Sequence, residues 1–392
     1  MSPKVKGVDL LHGDASVHGG YEVAPSIAVS TTFRRDPNIS LDDIDVQNPV
    51  RHVYSRYTQD VSTRVEHILG KVLDGHALTY ASGLASCFAT LVHFKPKRIA
   101  IRGGYFGSHQ TIEVYKKCRD QEIQLIDLDD EYKPGDLCWV ETPVNPTGES
   151  RDIQYYADKI HRVGGKLVVD STFAPPPLQY PFKLGADCIL HAATKYIGGH
   201  SDLLAGILVV RTEAEWRELQ FDRTYMGNMM GSLDAWLLLR SLRTLHLRIL
   251  RQSATATALV QWLKSVESSP ENSSFDGIPG GILKKVFHSS LQEVNSRGFD
   301  PSKQMEGGWS ATFSILMSTP EYAKALPFLT QYFVPATSLG SVESLIEYRA
   351  WADKTEDPTL IRISVGLEDF EDLKDDLKQA FQRCKNENGS EL

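Results

Sequence analysis

The sequence is poor in cysteine, and it has neither a long hydrophobic run nor an excess of basic charge. Five cysteines stand singly among 392 residues without a Cys-x-x-Cys pair, which argues against a disulfide scaffold and against a metal site of the zinc type. A formal net charge of −8 argues against nucleic acid as the main partner, because phosphate binding needs a basic face. No segment approaches the ~20 apolar residues of a membrane span, and the first residues show no secretory pattern. We therefore expect a cytoplasmic globular protein with neither a membrane nor a nucleic-acid partner.

Short apolar runs alternate with helical patterns between about residues 65 and 210. Six runs have the length and composition of buried strands, at 77–81, 98–101, 124–126, 137–140, 166–169 and 188–190. Several of them are separated by roughly 20–25 residues, which is enough for a crossover helix. This alternation predicts an α/β domain with a mostly parallel sheet.

The flanking segments have a different character. Residues 1–52 are rich in Gly, Ser and Asp with little periodicity, which predicts an extended N-terminal arm. Leucines at helical spacing predict a long helix over 234–266, broken once, and Pro and Gly predict a loop over 268–281. A smaller α+β unit follows and ends in a helix over 369–382. We therefore predict three parts: the arm 1–52, a large domain 53–250 and a C-terminal domain 251–392.

Chemically useful residues follow several of the predicted strands, where ligands of open α/β sheets collect. Gly83 and Leu84 open a helix after the first strand, so their N–H groups can bind a phosphate, although a plain strand–helix turn also explains them. Tyr105 follows the second strand in a Gly-rich turn, and its ring either stacks on a bound aromatic ring or packs in the core. Asn145 lies between two prolines after the fourth strand, where a rigid turn is the simpler interpretation.

Two charged residues end the next two strands. Asp170 is either a helix N-cap or a buried carboxylate that needs a cationic partner. Lys195 follows a buried strand almost directly, and a lysine held there can carry a lowered pKa and form a Schiff base. A phosphate cradle, a carboxylate and a lysine at one sheet edge are what pyridoxal phosphate needs for its phosphate, its pyridinium nitrogen and its aldehyde. The sequence therefore predicts a pyridoxal-phosphate site.

Nine segments in a fixed order carry a family resemblance. The most specific is Thr194-Lys195-Tyr196 followed by Gly199-His200-Ser201-Asp202. The others are 30–33, 54–56, 82–85, 145–146, 170–174, 232–236, 338–344 and 361–368. Together they resemble the Cys/Met-metabolism pyridoxal-phosphate enzymes, which include cystathionine γ-synthase, cystathionine lyases, methionine γ-lyase and O-acetylhomoserine sulfhydrylase. The resemblance implies the aspartate-aminotransferase-like fold type I of pyridoxal-phosphate transferases, in a homotetramer built from two dimers.

The resemblance also implies roles for the residues that act on the cofactor. Lys195 would bind pyridoxal phosphate as a Schiff base and later shuttle protons. Asp170 would pair with the pyridinium nitrogen and keep the ring an electron sink. Tyr105 would stack on the ring and help the γ leaving group depart.

Further roles concern the phosphate group of the cofactor. The resemblance implies that Gly83, Leu84 and Thr194 bind the phosphate within one subunit. It implies that Tyr54 and Arg56 reach the phosphate of the neighbouring subunit, so that each active site is shared across a dimer.

A third set of residues would bind the substrate. The resemblance implies that Arg362 clamps the substrate carboxylate through its two-pronged guanidinium, with Ser338 and Asn145 assisting. The resemblance therefore implies two small-molecule partners, an amino-acid substrate and a second, nucleophilic co-substrate.

The sequence departs from the family pattern in several places. Ala192 stands where the family usually has a phosphate-binding Ser, and Ser171 follows the aspartate in place of Asn. Thr337 replaces the Glu usual in cystathionine γ-lyases, and Tyr348-Arg349 replaces a His-Pro pair. Arg349 has two interpretations, a second anion contact or a solvated surface arginine. The cofactor machinery is thus kept, while the substrate end has diverged.

Three functions remain open at this point. The favoured one is γ-substitution on an O-activated homoserine, with O-acetyl-L-homoserine preferred, through a vinylglycine ketimine. Its nucleophile is a thiol, or a non-thiol such as a β-keto acid carbon or an amine in a specialised pathway. The second is a cystathionine or methionine γ- or β-lyase, and the third is an inactive homologue that serves in binding or assembly. The absence of a GxGxxG after any predicted strand excludes a nicotinamide dehydrogenase.

Overall fold

The computed structural model describes residues 5–17, 20–40, 45, 51–119 and 122–386. The chain folds into two compact units. Unit 1 comprises Met1–Val140, Ile153–Thr172 and Tyr180–Leu245, and unit 2 comprises Glu141–Asp152, Phe173–Gln179 and His246–Leu392. The predicted division into three parts, with boundaries at residues 52 and 250, stays a prediction.

A seven-stranded sheet forms the centre of unit 1. Its strands are β1 (His76–Tyr80), β2 (Arg98–Ala100), β3 (Gln124–Ile126), β4 (Leu137–Glu141), β5 (Lys166–Asp170), β6 (Cys188–Ala192) and β7 (Gly206–Val210). Their spatial order is β1-β7-β6-β5-β4-β2-β3. β2 pairs in parallel with β3 and β4, and β5 with β6, whereas β7 is antiparallel to both β1 and β6. All six predicted strands are present, and β7 is an additional strand.

The helices of unit 1 follow the strands as crossovers and flanks. They are α1 (Gly7–His12), α2 (Asp60–Leu73), α3 (Gly83–Phe94), α4 (Phe106–Lys116), α5 (Ile153–His161), α6 (Glu213–Met226) and α7 (Ser232–Leu242). One side of the sheet packs into a core that includes Tyr80, Trp139 and Leu208, each at most 1% exposed. Helix α2 shows why these segments are helical, because Val61, Val65 and Ile68 recur at helical spacing and are all buried. The α/β prediction is confirmed.

Unit 2 is built on a smaller sheet. Its strands are β8 (Ser274–Phe275), β9 (Ile278–Pro279), β10 (Leu283–Phe287), β11 (Thr312–Met317), β12 (Val334–Pro335), β13 (Leu345–Tyr348) and β14 (Leu360–Ser364). Five of them form a sheet in the order β10-β11-β14-β13-β12, and β8 pairs with β9 in a separate hairpin. Its helices are α8 (Leu245–Glu267), α9 (Pro301–Gln304), α10 (Pro320–Leu329) and α11 (Phe370–Asn386).

The helical predictions for the second half of the chain are close to the structure. The predicted helix over 234–266 is α7 and α8, broken between Leu242 and Leu245. The predicted final helix is α11, and the predicted loop over 268–281 contains the hairpin of β8 and β9.

The part of the chain that the structure describes contains no helix whose length and apolar character would let it span a membrane. Within the same ranges, no group of His, Cys, Asp and Glu side chains is arranged to hold a metal ion.

Candidate active site

Three strands of unit 1 end at one edge of the sheet. β5 and β6 are parallel, and β6 and β1 are both antiparallel to β7, so β1, β5 and β6 run in the same direction. Their carboxyl ends therefore lead to one edge, where ligands of such sheets bind. Three of the residues singled out from the sequence lie there: Gly83 after β1, Asp170 at the end of β5 and Lys195 after β6.

The first turn of α3 has the features of an anion-binding site. Ser82 caps the helix, and its Oγ accepts a hydrogen bond from the Ala85 N–H at 3.1 Å. Gly83 and Leu84 occupy the first two helical positions, where N–H groups have no acceptor inside the helix and the dipole favours negative charge. A Cβ on Gly83 would lie only 2.9 Å from the Cβ of Ala192. Only glycine therefore keeps this cradle open, in agreement with a phosphate site.

Asp170 is a buried carboxylate, 6% exposed, at the end of β5. Its Oδ1 accepts hydrogen bonds from the Thr172 N–H at 3.0 Å and from the Thr172 hydroxyl at 2.6 Å. Burial raises the pKa of Asp170 to about 6, against the opposing effect of the two Thr172 hydrogen bonds. A carboxylate in this position is best stabilised by a bound cation, which a pyridinium nitrogen provides.

Thr172 links two strand ends. Its Oγ1 donates to Asp170 and accepts from the Ala192 N–H at 2.9 Å. Sequence reasoning gave this residue no role, although the Asp-x-Thr spacing is typical of a side chain that hydrogen-bonds two residues along the chain. The bridge fixes the orientation of Asp170 relative to β6.

Lys195 and Thr194 lie in the turn that follows β6. The Lys195 N–H donates to the Ala192 carbonyl at 3.0 Å, and the Lys195 carbonyl accepts from the Gly199 N–H at 2.7 Å. The Thr194 hydroxyl oxygen accepts from the Ala205 N–H at 3.1 Å, while its own contact to the Ala205 carbonyl is long, at 3.4 Å. The Lys195 backbone and the Thr194 side chain are therefore both held, and the long bond of the Thr194 hydroxyl to the Ala205 carbonyl can be exchanged for one to a stronger acceptor.

Tyr105 occupies the N-cap position of α4, where its side chain makes no capping hydrogen bond, and it is 38% exposed. Its ring covers Gly107, where any Cβ would lie 2.4 Å from the Tyr105 Cε1, and it contacts Phe106 edge-on at 5.2 Å between centroids. The glycine lets the ring lie flat against the start of the helix and leaves a partly exposed aromatic face. This placement differs from that of a core tyrosine.

Tyr54 is exposed on unit 1, and Arg56 beside it is half-buried. The Arg56 guanidinium lies 5.5 Å from the centroid of the Tyr54 ring and 5.3 Å from that of Tyr57. Its Nη1 donates to the Thr224 carbonyl at 3.3 Å. The pair thus forms a local cation–π group on the surface of its own subunit.

Unit 2 brings together the three residues expected to bind substrate. Nη1 of Arg362 donates to Oδ1 of Asn145 at 2.9 Å, and Nη2 donates to the Ser338 carbonyl at 2.8 Å. Asn145 is held in turn, because its N–H donates to Glu141 Oε1 at 2.6 Å. The contact from Ser338 to Arg362 is made by its backbone carbonyl, and Ser338 has a positive φ of +83°.

Two further charged residues belong to this cluster. Glu347 of β13 lies directly opposite Arg362 of β14, and its Oε2 accepts from Arg362 Nη2 at 2.5 Å. The same oxygen accepts from Arg349 Nη1 at 2.7 Å. Arg349 is only 4% exposed, so its interpretation as a solvated surface arginine is wrong. An acid and an arginine within apolar strand patterns are the signal that points to such a buried pair.

The residues of unit 1 fit pyridoxal phosphate. Open N–H groups and a glycine cradle suit the phosphate, and the buried Asp170 suits a pyridinium nitrogen. Lys195, on the turn after β6, supplies an amine for the aldehyde.

Comparison with known proteins gives a consistent picture. The family model described as "Cys/Met metabolism PLP-dependent enzyme" matches residues 10–382. A cystathionine gamma-lyase of Saccharomyces cerevisiae is 33% identical, with 94% of this chain and 95% of the relative covered. A cystathionine gamma-synthase of Mycobacterium tuberculosis is 32% identical, with 97% and 100% covered. The solved structure of a methionine gamma lyase from Micromonospora echinospora superposes with a TM-score of 0.83 at 31% identity, covering 97% of this chain and 100% of that one.

These matches confirm the predicted fold type over nearly the whole chain. Relatives named as lyases and as a synthase match at almost the same identity, between 31% and 33%. Overall similarity therefore does not separate elimination from substitution, and the choice depends on individual residues.

Proposed function

The chain belongs to the Cys/Met-metabolism pyridoxal-phosphate enzymes, and on that premise we propose that it catalyses γ-substitution on an O-activated homoserine. The proposed preferred substrate is O-acetyl-L-homoserine, and a second, nucleophilic molecule is the co-substrate. In the net reaction the Cγ–O bond breaks, acetate leaves, and the nucleophile loses a proton and bonds to Cγ.

We assign the cofactor to residues of unit 1. When bound, pyridoxal phosphate withdraws electrons from the substrate amino acid and so acidifies its Cα and Cβ protons. Gly83, Leu84 and Thr194 would hold the phosphate, and Asp170 would pair with the ring nitrogen. Lys195 would hold the aldehyde carbon through its amine.

Two residues act on the substrate's reacting atoms. Lys195 carries a basic amine and removes the proton at Cα. Tyr105, with its partly exposed ring and hydroxyl, covers the cofactor ring and assists the departure of the γ leaving group.

The observation that carries the choice of an amino-acid substrate is the Arg362 guanidinium held between Asn145 and Ser338. A guanidinium fixed in orientation attracts a carboxylate by its charge and forms charge-assisted hydrogen bonds with it. Arg362 therefore anchors the substrate α-carboxylate.

Residue 337 supports substitution over elimination of cystathionine. Cystathionine carries a second amino group, which is cationic at neutral pH, and a carboxylate is its natural partner. Thr337 is exposed and offers only a hydroxyl. The same divergence leaves the nucleophile open among thiols, amines and β-keto acids.

We further propose a cytoplasmic homotetramer built as a dimer of dimers. The exposed position of Tyr54 and the Arg56 group beside it support a contact with the phosphate site of a second subunit. Sedimentation measures the oligomeric state. A mixed-subunit assay combines Arg56→Ala chains with Lys195→Ala chains, and activity returns on mixing only if each site takes residues from two subunits.

The test of the main proposal uses purified cofactor-loaded enzyme and O-acetyl-L-homoserine. Acetate and 2-oxobutyrate are measured first without a nucleophile and then with thiols, amines and β-keto acids, with mass spectrometry of the products. We expect acetate release with a new adduct from one class of nucleophile, and no release from Lys195→Ala. Absence of acetate release from the native enzyme contradicts the proposal.

The second candidate is a cystathionine or methionine lyase, which the names of the relatives favour. A lyase releases an oxo acid and ammonia from cystathionine or methionine without any added nucleophile. The third, an inactive homologue in binding or assembly, predicts a purified protein that stays colourless when pyridoxal phosphate is added.

A further inference from the structure

Arg349 occupies an unusual place for an arginine. β13 ends at Tyr348, and Arg349 begins a 3₁₀ turn that ends at Trp351. The Tyr348 and Trp351 rings pack edge-on at 5.3 Å between centroids, and the Arg349 carbonyl accepts from the Ala352 N–H at 3.0 Å. The turn is therefore anchored on both sides, and the Arg349 side chain is directed into the unit and not into solvent.

A single carboxylate oxygen joins two guanidinium groups. Glu347 lies opposite Arg362 of β14, and Arg349 is the first residue after β13, from which its guanidinium reaches the same carboxylate. Oε2 of Glu347 accepts from Arg349 Nη1 at 2.7 Å and from Arg362 Nη2 at 2.5 Å. All three side chains are at least nine-tenths buried.

The charge of this arrangement matters for anion binding. A buried Glu347 paired with Arg362 alone would form a neutral pair, and a neutral pair attracts a second carboxylate weakly. The added cation of Arg349 leaves the Arg–Glu–Arg group with one net positive charge. Glu356 lies on the far side of Arg349, 3.8 Å from its Nη2, and is 25% exposed, so solvent screens it more than Glu347.

We propose that Arg349 is a positioning residue for carboxylate recognition, which balances the charge of Glu347 so that the positive charge of Arg362 attracts the α-carboxylate of the amino acid. This inference rests on the role of Arg362 in the proposed function. Nη1 of Arg349 donates to Glu347 and Nη2 faces Glu356, so Arg349 acts through Glu347 and not by touching the substrate.

The test compares two ligands that differ only in the carboxylate. L-2-aminobutyrate and L-2-aminobutyramide lack a leaving group, and their binding to the cofactor-loaded enzyme is measured by isothermal titration calorimetry. The ratio of the amide Kd to the acid Kd is the carboxylate preference. A purely structural defect changes both Kd values, whereas a change in the charge of the cluster changes only the preference.

We expect Arg349→Met to lower the carboxylate preference about tenfold while the amide Kd stays within about twofold. Arg349→Lys keeps the charge and retains most of the preference. The double variant E347Q/R349M again has one net positive charge in the cluster, and we expect it to recover the preference. Such recovery distinguishes charge balance from packing.

Three results overturn the proposal: an unchanged preference in Arg349→Met, an equal loss for both ligands, or no recovery in the double variant. Arg362→Met separates this outcome from a failure of the proposed function. If Arg362→Met keeps the preference, Arg362 is not the carboxylate anchor. If it loses the preference while Arg349→Met keeps it, only the role of Arg349 is wrong.

Discussion

The hydroxyl of Thr172 lies 2.6 Å from Oδ1 of Asp170 and donates its hydrogen to that carboxylate. With the Thr172 N–H at 3.0 Å, this oxygen has two donors, yet neither carries a positive charge. Burial therefore dominates, and the pKa of Asp170 rises to about 6. In the absence of cofactor the ionised form of Asp170 is costly to the fold, and the proposed pairing with a pyridinium nitrogen would relieve that cost.

This leads to a pH-dependent prediction for Asp170→Asn in cofactor-free protein. The native carboxyl holds its proton more tightly than the unfolded one, whose pKa is near 3.8, so ionisation destabilises the native state as pH rises from about 4 to 6. Relative to wild type, the Asp170→Asn variant should gain about 2 kcal/mol of unfolding free energy between pH 4 and pH 7. Urea unfolding at a series of pH values measures this. A difference that does not vary with pH contradicts the raised pKa.

Asp170→Asn should weaken cofactor binding, although it stabilises the cofactor-free protein at neutral pH. The neutral amide of the Asp170→Asn variant would offer the ring nitrogen no charge, so the Kd of pyridoxal phosphate should increase. An absorbance titration of the cofactor-free variant checks this result, and an unchanged Kd would remove Asp170 from the cofactor site.

Gly83→Ala should close the proposed phosphate cradle. The new Cβ would lie 2.9 Å from the Ala192 Cβ, and both atoms are attached directly to backbone, so one element must move. We expect the Kd of pyridoxal phosphate to rise roughly tenfold, which corresponds to the usual cost of overpacking. The double variant G83A/A192G removes the clash and should recover most of the affinity. Wild-type affinity in Gly83→Ala alone would show that the cradle tolerates a side chain and does not hold the phosphate.

Arg362→Lys should weaken substrate binding although it keeps the charge. One ammonium cannot serve Asn145 Oδ1 and the Ser338 carbonyl and still present a planar fork to a carboxylate. We expect KM for the amino acid to rise about 10- to 100-fold with a smaller change in kcat. Arg251→Lys is the matched control, because Arg251 is an exposed arginine of the same unit that pairs with Asp369. A KM that changes equally in both variants would contradict the role of Arg362.

The sequence predicts the parts of the site that depend on local structure. Gly83, Asp170 and Lys195 each follow an apolar run, and a strand end is recognisable from the run itself. The direction of β7 could not be predicted in this way. Gly206–Val210 is an apolar run, but its antiparallel pairing with β1 and β6 depends on strands that are distant in the chain. The pattern therefore indicated a mostly parallel sheet without showing its reversed strand.

By itself, the sequence determined the fold class and the family, and it supplied the candidate residues for the cofactor site, since all of these depend on runs and motifs of adjacent residues. The tertiary structure decided the surroundings of Arg362. Glu347 and Arg362 are opposite each other only because β13 and β14 pair in one register, and that register also buries Arg349. A charged residue far away in the sequence acquires its partner from strand pairing, and no local pattern records which partner that is.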